Sequence, residues 1–401
     1  MKLNLAVIFG GMSVEHEISV ISALQAIASL DLNRYAVTPI YLTKKNTFYV
    51  GEDIGKIEAY KDIPALLRKS QEVLPAKVGG KAAILRHPAK TFGKNLLGTF
   101  DAVFPIVHGT NAEDGTLQGF LRLLGVPFVG CDVGASAIGM DKYAMKTLCK
   151  DCGIPVLDCV CVAAARYNED QEGLLRGIMQ KFEFPMIVKP VNLGSSVGIS
   201  KAKDEASLQA ALDLALRFAT RALVEPCVRN LREINCAVLG DISSARASVC
   251  EEPLNADEIL SFENKYMRQG KGGKTGGAAG RGQKAGMASL SRKIPADITD
   301  AQREQIQSLA VRAFQAIDGN GVARIDFLMD GATGEIWLNE INTIPGSLSF
   351  YLWEPTGLPY GKLLDEMIRL AFKRHREQED LMFSFDSNVL ANASFGGTKK
   401  K

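Results

Sequence analysis

Residues 321–346 read GVARIDFLMDGATGEIWLNEINTIPG, and the reading of this stretch decides the architecture. Two alternating segments flank the turn Asp330-Gly-Ala-Thr-Gly334, which is a hairpin signal. A turn centred on Thr333 sets Asp326 opposite Glu340 and Arg324 opposite Asn342. Alternation of period two then puts these four side chains on one face. Ile325, Phe327, Met329, Trp337 and Ile341 line the other face and supply core. Neighbouring carboxylates repel, so two of them beside a carboxamide need a reason. Oxygen ligands of this kind suit Mg²⁺, particularly when substrate phosphates complete the shell. The alternative is a solvated polar face, but the apolar partner face marks a packed hairpin.

Upstream, Met186-Ile-Val-Lys-Pro190 reads as a strand ending in a lysine, followed by Val191-Asn-Leu-Gly-Ser-Ser-Val-Gly198. A lysine leaving a strand beside a Gly/Ser loop can neutralise phosphate while backbone N–H groups wrap it. A plain hairpin turn has the same composition. The segment is not a Walker loop. The one comparable stretch, Gly273-Lys274-Thr275, has Arg268 where that motif requires glycine. Phe9-Gly-Gly-Met-Ser-Val-Glu15 likewise lacks the dinucleotide spacing.

The amino-terminal part alternates strand and helix: strands at Leu3–Phe9, Tyr35–Tyr41, Thr99–His108 and Val126–Val129, helices at Glu15–Leu30 and Thr116–Leu124. This predicts an α/β domain with a parallel sheet over residues 1–130. Residues 43–95 fit the alternation poorly and are expected to be an elaboration. Texture changes after Cys131. A helical stretch Ala135–Lys150, strands Pro185–Pro190 and Val197–Lys203, and an amphipathic helix Asp204–Thr220 predict a small α+β domain over 131–220. Strands Ala222–Cys227 and Arg232–Leu239 open a second α+β domain over 221–375, and 376–401 reads as a tail.

The 401 residues suggest two or three domains at about 150 residues each. With 47 Lys+Arg against 45 Asp+Glu, the electrostatic footprint of a nucleic-acid binder is missing. No apolar run is long enough to span a membrane. The start MKLNLAVIFGG reads as a first strand, not a signal peptide, so a cytoplasmic protein is expected. The eight cysteines should then be free thiols. Cys149, Cys152, Cys159 and Cys161 have the look of zinc half-sites, but they fall in a helix end, a turn and an apolar run, where a thiol is a small hydrophobe.

Taken together and in order, several segments resemble the D-alanine–D-alanine ligases of the ATP-grasp superfamily over residues 1–375. They are Gly10-Gly-Met-Ser-Val-Glu-His-Glu-Ile-Ser19, His108-Gly-Thr-Asn-Ala-Glu-Asp-Gly-Thr-Leu-Gln-Gly119, Met140-Asp-Lys142, the Ile187–Gly198 lysine and Ser-Ser-Val-Gly loop, Val224-Glu225, Phe262-Glu-Asn-Lys-Tyr266, Ala323-Arg-Ile-Asp326 and Asn339–Gly346. The resemblance implies ATP held between a central and a carboxy-terminal α+β domain. Lys142, Lys189, Ser195, Ser196, Val197, Glu225, Pro226, Glu233, Lys265, Asn339 and Glu340 would meet the nucleotide, and Asp326, Glu340 and Asn342 two Mg²⁺ or Mn²⁺ ions. Glu15 would take the ammonium of the first D-alanine, linked through Ser195 to Tyr266. Arg324 and the Gly346 N–H would face the developing oxyanion, with His108, Lys265, Tyr266 and Ser347 near substrate. The implied reaction forms an acyl phosphate from ATP and one D-alanine, which a second D-alanine attacks. The resemblance also implies a homodimer.

Three departures stand out. Ala112 replaces a glycine usual in the family. Tyr351 falls where many members carry a serine that binds the second substrate, so D-lactate or D-serine is an alternative acceptor and Ser347 or Ser349 an alternative contact. The loop 261–286 is expected to be mobile: Lys271–Gly286 holds seven glycines and four basic residues. It is either a cationic lid over the triphosphate or an insertion beside a shorter lid at Lys265 and Tyr266. His16 is expected to be structural, and His108 either touches substrate or orients a group that does. A catalytically silent nucleotide-binding protein is the alternative of a different class.

Overall fold

The computed structural model describes residues 2–254 and 292–382. The expected loop 261–286, with Lys265 and Tyr266, and the segment from 383 onward lie outside the described residues. The chain runs through β1 (Leu3–Gly10), α1 (His16–Ser29), β2 (Tyr35–Leu42), β3 (Phe48–Val50), α2 (Ile63–Lys69), β4 (Gln71–Val78), β5 (Lys81–Arg86), β6 (Leu96–Phe100), β7 (Ala102–Ile106) and α3 (Thr116–Leu124). These strands form one sheet in the order β6-β5-β4-β3-β2-β1-β7. In this sheet β2, β1 and β7 run parallel, while β3, β4 and β5 of the 43–95 elaboration, together with β6, add an antiparallel ribbon. The last six residues of β1 are buried, as expected of a strand covered on both faces.

Two segments break where the sequence suggested continuity. Thr99–His108 splits at Asp101, whose carboxylate and N–H both engage Asn4, so β6 turns away and β7 joins β1. Val126–Val129 contributes a single bridge, Val103 to Phe128, and is not a strand. Gly125 ends α3 at φ 65°, a left-handed cap that suits glycine.

A second unit follows: α4 (Val133–Met140), α5 (Lys142–Asp151), β8 (Val160–Ala163), α6 (Ala164–Glu169), α7 (Gln171–Lys181), β9 (Met186–Pro190), β10 (Ser200–Ala202), α8 (Glu205–Ala215) and β11 (Arg221–Pro226). The expected single helix Ala135–Lys150 is broken at Asp141, whose side chain caps α5 through Tyr143 N–H and Ala144 N–H. The sheet order is β10-β9-β11-β8. The chain therefore leaves this sheet after β11 and not at 220. Helices α4 and α5 instead share the core of the third unit through Ala135, Met145 and Cys149.

That third unit holds β12 (Leu231–Gly240), β13 (Ala245–Pro253), β14 (Arg292–Lys293), α9 (Asp300–Ala316), β15 (Gly321–Asp330), β16 (Ile336–Asn342), α10 (Phe350–Trp353) and α11 (Tyr360–Glu379). Its sheet order is β14-β13-β12-β15-β16. A Thr299/Gln302 capping box starts α9. The carboxy-terminal α11 crosses back to the first unit, where Leu363, Leu364, Met367 and Ile368 join Ala23 and Ala26 of α1 in one core. Residues 376–379 belong to this helix and not to a tail.

Candidate active site

The β15–β16 hairpin brings the polar face together. Asp326 lies opposite Glu340 and Arg324 opposite Asn342. A bulge follows: Phe327 pairs with Leu338, leaving Asn339 as an extra residue. The bulge reverses the alternation, so Ile336 and Leu338 face the core and Trp337, expected there, is only half-buried. Strict period-two counting from the Glu340 end misplaces it.

The polar face is wider than the hairpin. In directly opposed register, Glu251 of β13, Asn235 of β12, Asp326 and Glu340 form one row across four strands. Asn235 Nδ2 donates to Glu251 Oε1 at 3.1 Å. Arg324 grips Asp326 with two hydrogen bonds of 2.7 Å, and Asn342 Nδ2 donates to Asp326 Oδ2 at 3.0 Å. Burial pushes the Asp326 carboxyl up to about 6, with Arg324 opposing and Glu340 and Glu251 adding to it. Burial would lower Arg324, but Asp326 outweighs it and holds the guanidinium well above its ordinary value. Glu251 also accepts from Arg292 at 2.6 Å, and the Arg292 guanidinium lies 4.3 Å over the Tyr351 ring. The Tyr351 hydroxyl points to Glu251 Oε1 at 3.4 Å. Asn235, Glu251 and Arg292 were not singled out from sequence, because only strand register connects them to Asp326.

The central unit faces this row with lysines. Lys189, at the end of β9, donates to Asn339 Oδ1 at 2.9 Å and pairs with Glu225 at 2.7 Å. Lys146, also unforeseen, pairs with the other Glu225 oxygen at 2.7 Å, and its side chain and that of Glu225 are 3% and 2% exposed. Burial would raise Glu225, yet the two lysines together hold its carboxyl below the usual range. Lys142 donates to Leu193 O at 2.8 Å and lies 3.4 Å from Glu340. Pro226 closes β11, and Glu233 is half-buried on β12. Ser195 and Ser196 take positive φ in the loop between β9 and β10, and Val197 N–H returns to Gly194 O.

Glu15 closes the third side. The Ser195 hydroxyl donates to its Oε1. A Cβ on Gly109 or Gly194 would lie 3.0 or 3.1 Å from Glu15 Oε2, so two glycines let backbone approach this carboxylate from both sides. The same corner contains Glu113, a half-buried carboxylate absent from the sequence-based candidates. It accepts from Gly109 N–H at 2.7 Å and Ile344 N–H at 3.1 Å. Burial, then the neighbouring Glu15 charge, push it up to about 8. Its signal was available, since it lies within the His108–Gly119 motif.

The histidines divide as chemistry requires. His16 is buried between Gly11 O and the Tyr41 hydroxyl. His108 is also buried, with Nδ1 donating to Ile344 O at 2.7 Å and Nε2 accepting from Ser22 Oγ at 2.9 Å. Burial lowers His108 to about 4, so it is neutral at pH 7. Gly346 opens the turn after β16, and the Ser347 hydroxyl donates to Gln25 Oε1.

Two α+β units facing each other, one presenting buried lysines and the other a carboxylate row, make up the ATP-grasp architecture. Family models for the amino-terminal and carboxy-terminal parts of D-Ala–D-Ala ligase match residues 4–131 and 148–369. The chain is 39% identical over 382 residues to the D-alanine–D-alanine ligase of Thermoanaerobacter sp. (strain X514), covering 94% of this chain and 98% of that one. It is 35% identical over 388 residues to that of Thermosipho melanesiensis, covering 97% and 98%. Among solved structures it resembles the D-alanine–D-alanine ligase of Coxiella burnetii (TM-score 0.76, 31% identity, 94% and 96% covered). It also resembles the VanG D-Ala:D-Ser ligase of Enterococcus faecalis (TM-score 0.74, 29% identity, 92% and 100% covered). The chain belongs to the D-alanine–D-alanine ligase family.

Proposed function

We propose that the protein is an ATP-dependent ligase that joins two D-alanine molecules into D-alanyl-D-alanine for peptidoglycan precursors, releasing ADP and phosphate. The observation that carries this reading is the Ser195–Glu15 contact, which sets an ammonium-binding carboxylate against the phosphate loop. ATP transfers its γ-phosphoryl group to the carboxylate of the first D-alanine, and the amine of the second attacks the acyl carbon and expels phosphate. Glu15 holds the first ammonium. Lys142 and Lys189, freed from Glu340 and Glu225, bind phosphates, with Ser195, Ser196 and Val197 lining the loop around them. The β11 end at Glu225 and Pro226, together with Glu233 and Asn339, frames the rest of the nucleotide. Arg324 and the Gly346 N–H face the oxyanion, where fixed donors contribute most. His108 and Ser347 act beside the substrate through their neighbours.

Asp326, Glu340 and Asn342 fit a pair of Mg²⁺ or Mn²⁺ ions: they carry hard oxygen donors on one face, with the Asp326 and Glu340 carboxylates directly opposite each other. When bound, such ions neutralise triphosphate charge.

Among the described residues no helix is long and apolar enough to cross a membrane. We place the enzyme in the cytoplasm as a homodimer, the second point resting on family resemblance. D-Serine as acceptor is the second reading, resting on the VanG likeness. The test is ADP release with Mg·ATP and D-alanine, L-alanine, D-alanine plus D-lactate, or D-alanine plus D-serine, with products identified by mass. D-Alanyl-D-alanine from D-alanine alone is expected. A product formed only with a mixed acceptor would favour the second reading, and ATP binding without turnover would favour a silent protein.

A further inference from the structure

Three consecutive residues that are not glycine, Ser347, Leu348 and Ser349, have φ of 52°, 51° and 50° with ψ of 24°, 25° and 29°. L-residues resist this left-handed conformation, and a run of three persists only where the surroundings over-determine it. The surroundings come from the amino-terminal unit. Ser347 N–H donates to Ser22 Oγ at 2.9 Å, and the Ser22 hydroxyl donates onward to His108 Nε2. On its other side His108 donates from Nδ1 to Ile344 O.

The two ends of this relay bracket one glycine. His108 fixes the Ile344–Pro345 peptide, Ser22 fixes the Gly346–Ser347 peptide, and the Pro345 ring fixes its own φ. Between them lies the Pro345–Gly346 peptide, whose carbonyl accepts from Leu348 N–H at 2.8 Å, so the conformation of the turn sets where the Gly346 N–H points. We infer that Ser22, acting with His108, is a positioning residue for bond formation: the pair holds Ser347, Leu348 and Ser349 left-handed and thereby aims the Gly346 N–H. This rests on the proposed role of Gly346 as an oxyanion donor.

The test is steady-state kinetics of Ser22→Ala, alone and combined with Ser349→Gly, with Ser349→Gly as reference. The Ser349 hydroxyl is buried without a partner among the described residues, so glycine there relieves a left-handed residue and sacrifices no hydrogen bond. Ser22→Ala should lower kcat on the order of 10–100-fold with KM for ATP unchanged, together with a modest fall in melting temperature, because the Ser347 N–H and His108 Nε2 lose their buried partner. Adding Ser349→Gly should recover much of that loss. Unchanged kcat in Ser22→Ala, or a loss that Ser349→Gly does not recover, overturns the positioning role. Should Ser22→Ala fail to fold, Ser22→Cys, a poor acceptor of similar size, is read in the same way. The wild-type product alone reports failure of the ligase reading. The positioning role is read from the ratio of variant to wild type on whichever amino acid supports ADP release.

Discussion

Glu113 accepts a hydrogen bond from the Ile344 N–H at 3.1 Å, tying the loop after β7 to the end of the β15–β16 hairpin across 231 positions of sequence. The carboxyl is raised to about 8 by desolvation and by the field of Glu15, so at neutral pH it holds a proton. An ammonium arriving at Glu15 favours the charged form of both acids and lowers that pKa. D-Alanine binding at pH 7 should therefore release a proton. Calorimetry in buffers of different ionisation enthalpy measures this, and the release should vanish in Glu113→Gln. Proton-neutral binding in the wild type would contradict the assignment.

His108 should make the fold sensitive to acid. Burial lowers its pKa to about 4, against roughly 6.5 in an unfolded chain. Between those values the unfolded chain binds a proton that the native chain does not, so stability is complete above pH 6.5 and falls as pH drops towards 4. The loss is about 3 kcal/mol at most. Denaturant unfolding at pH 7 and 4.5 should show a smaller difference for His108→Gln than for wild type. Equal differences would mean that the ring is not buried as a neutral acceptor.

Arg292 and Glu251 form a buried ion pair with side chains 8% and 1% exposed. Removing only the arginine leaves a stranded carboxylate, so Arg292→Met should destabilise by about 3–5 kcal/mol. Glu251→Gln added to it should restore part of that. Denaturation midpoints of the single and double variants decide the matter.

Glu340→Ala should abolish turnover while leaving the fold intact, because the hairpin core lies on the opposite face at Ile325, Phe327 and Ile341. Titration with Mn²⁺ followed by electron paramagnetic resonance, in the presence of ATP, should show weakened metal binding. Near-normal activity would remove Glu340 from the metal set.

The hairpin register was legible because its turn chemistry and alternation agree, so Asp326, Glu340, Arg324 and Asn342 could be paired by counting. Trp337 escaped because a bulge at Asn339 leaves no mark in alternation read from one end. Lys146 and Asn235 escaped for another reason. A buried ion pair or a row across strands exists only once distant segments are in register, and neither residue sits in a motif. The antiparallel ribbon was not legible as clean strands, since β3 has only three residues and β4, though eight long, buries a single side chain.

Helix α11 has a bearing on how the protein is made. The α1 face of the first unit is completed by Leu363, Leu364, Met367 and Ile368, which leave the ribosome hundreds of residues after α1 itself. Chains interrupted before Tyr360 would display the apolar α1 surface to chaperones and proteases. Synthesis thus has a built-in checkpoint: the amino-terminal unit is sealed only in molecules that already carry the whole β15–β16 hairpin.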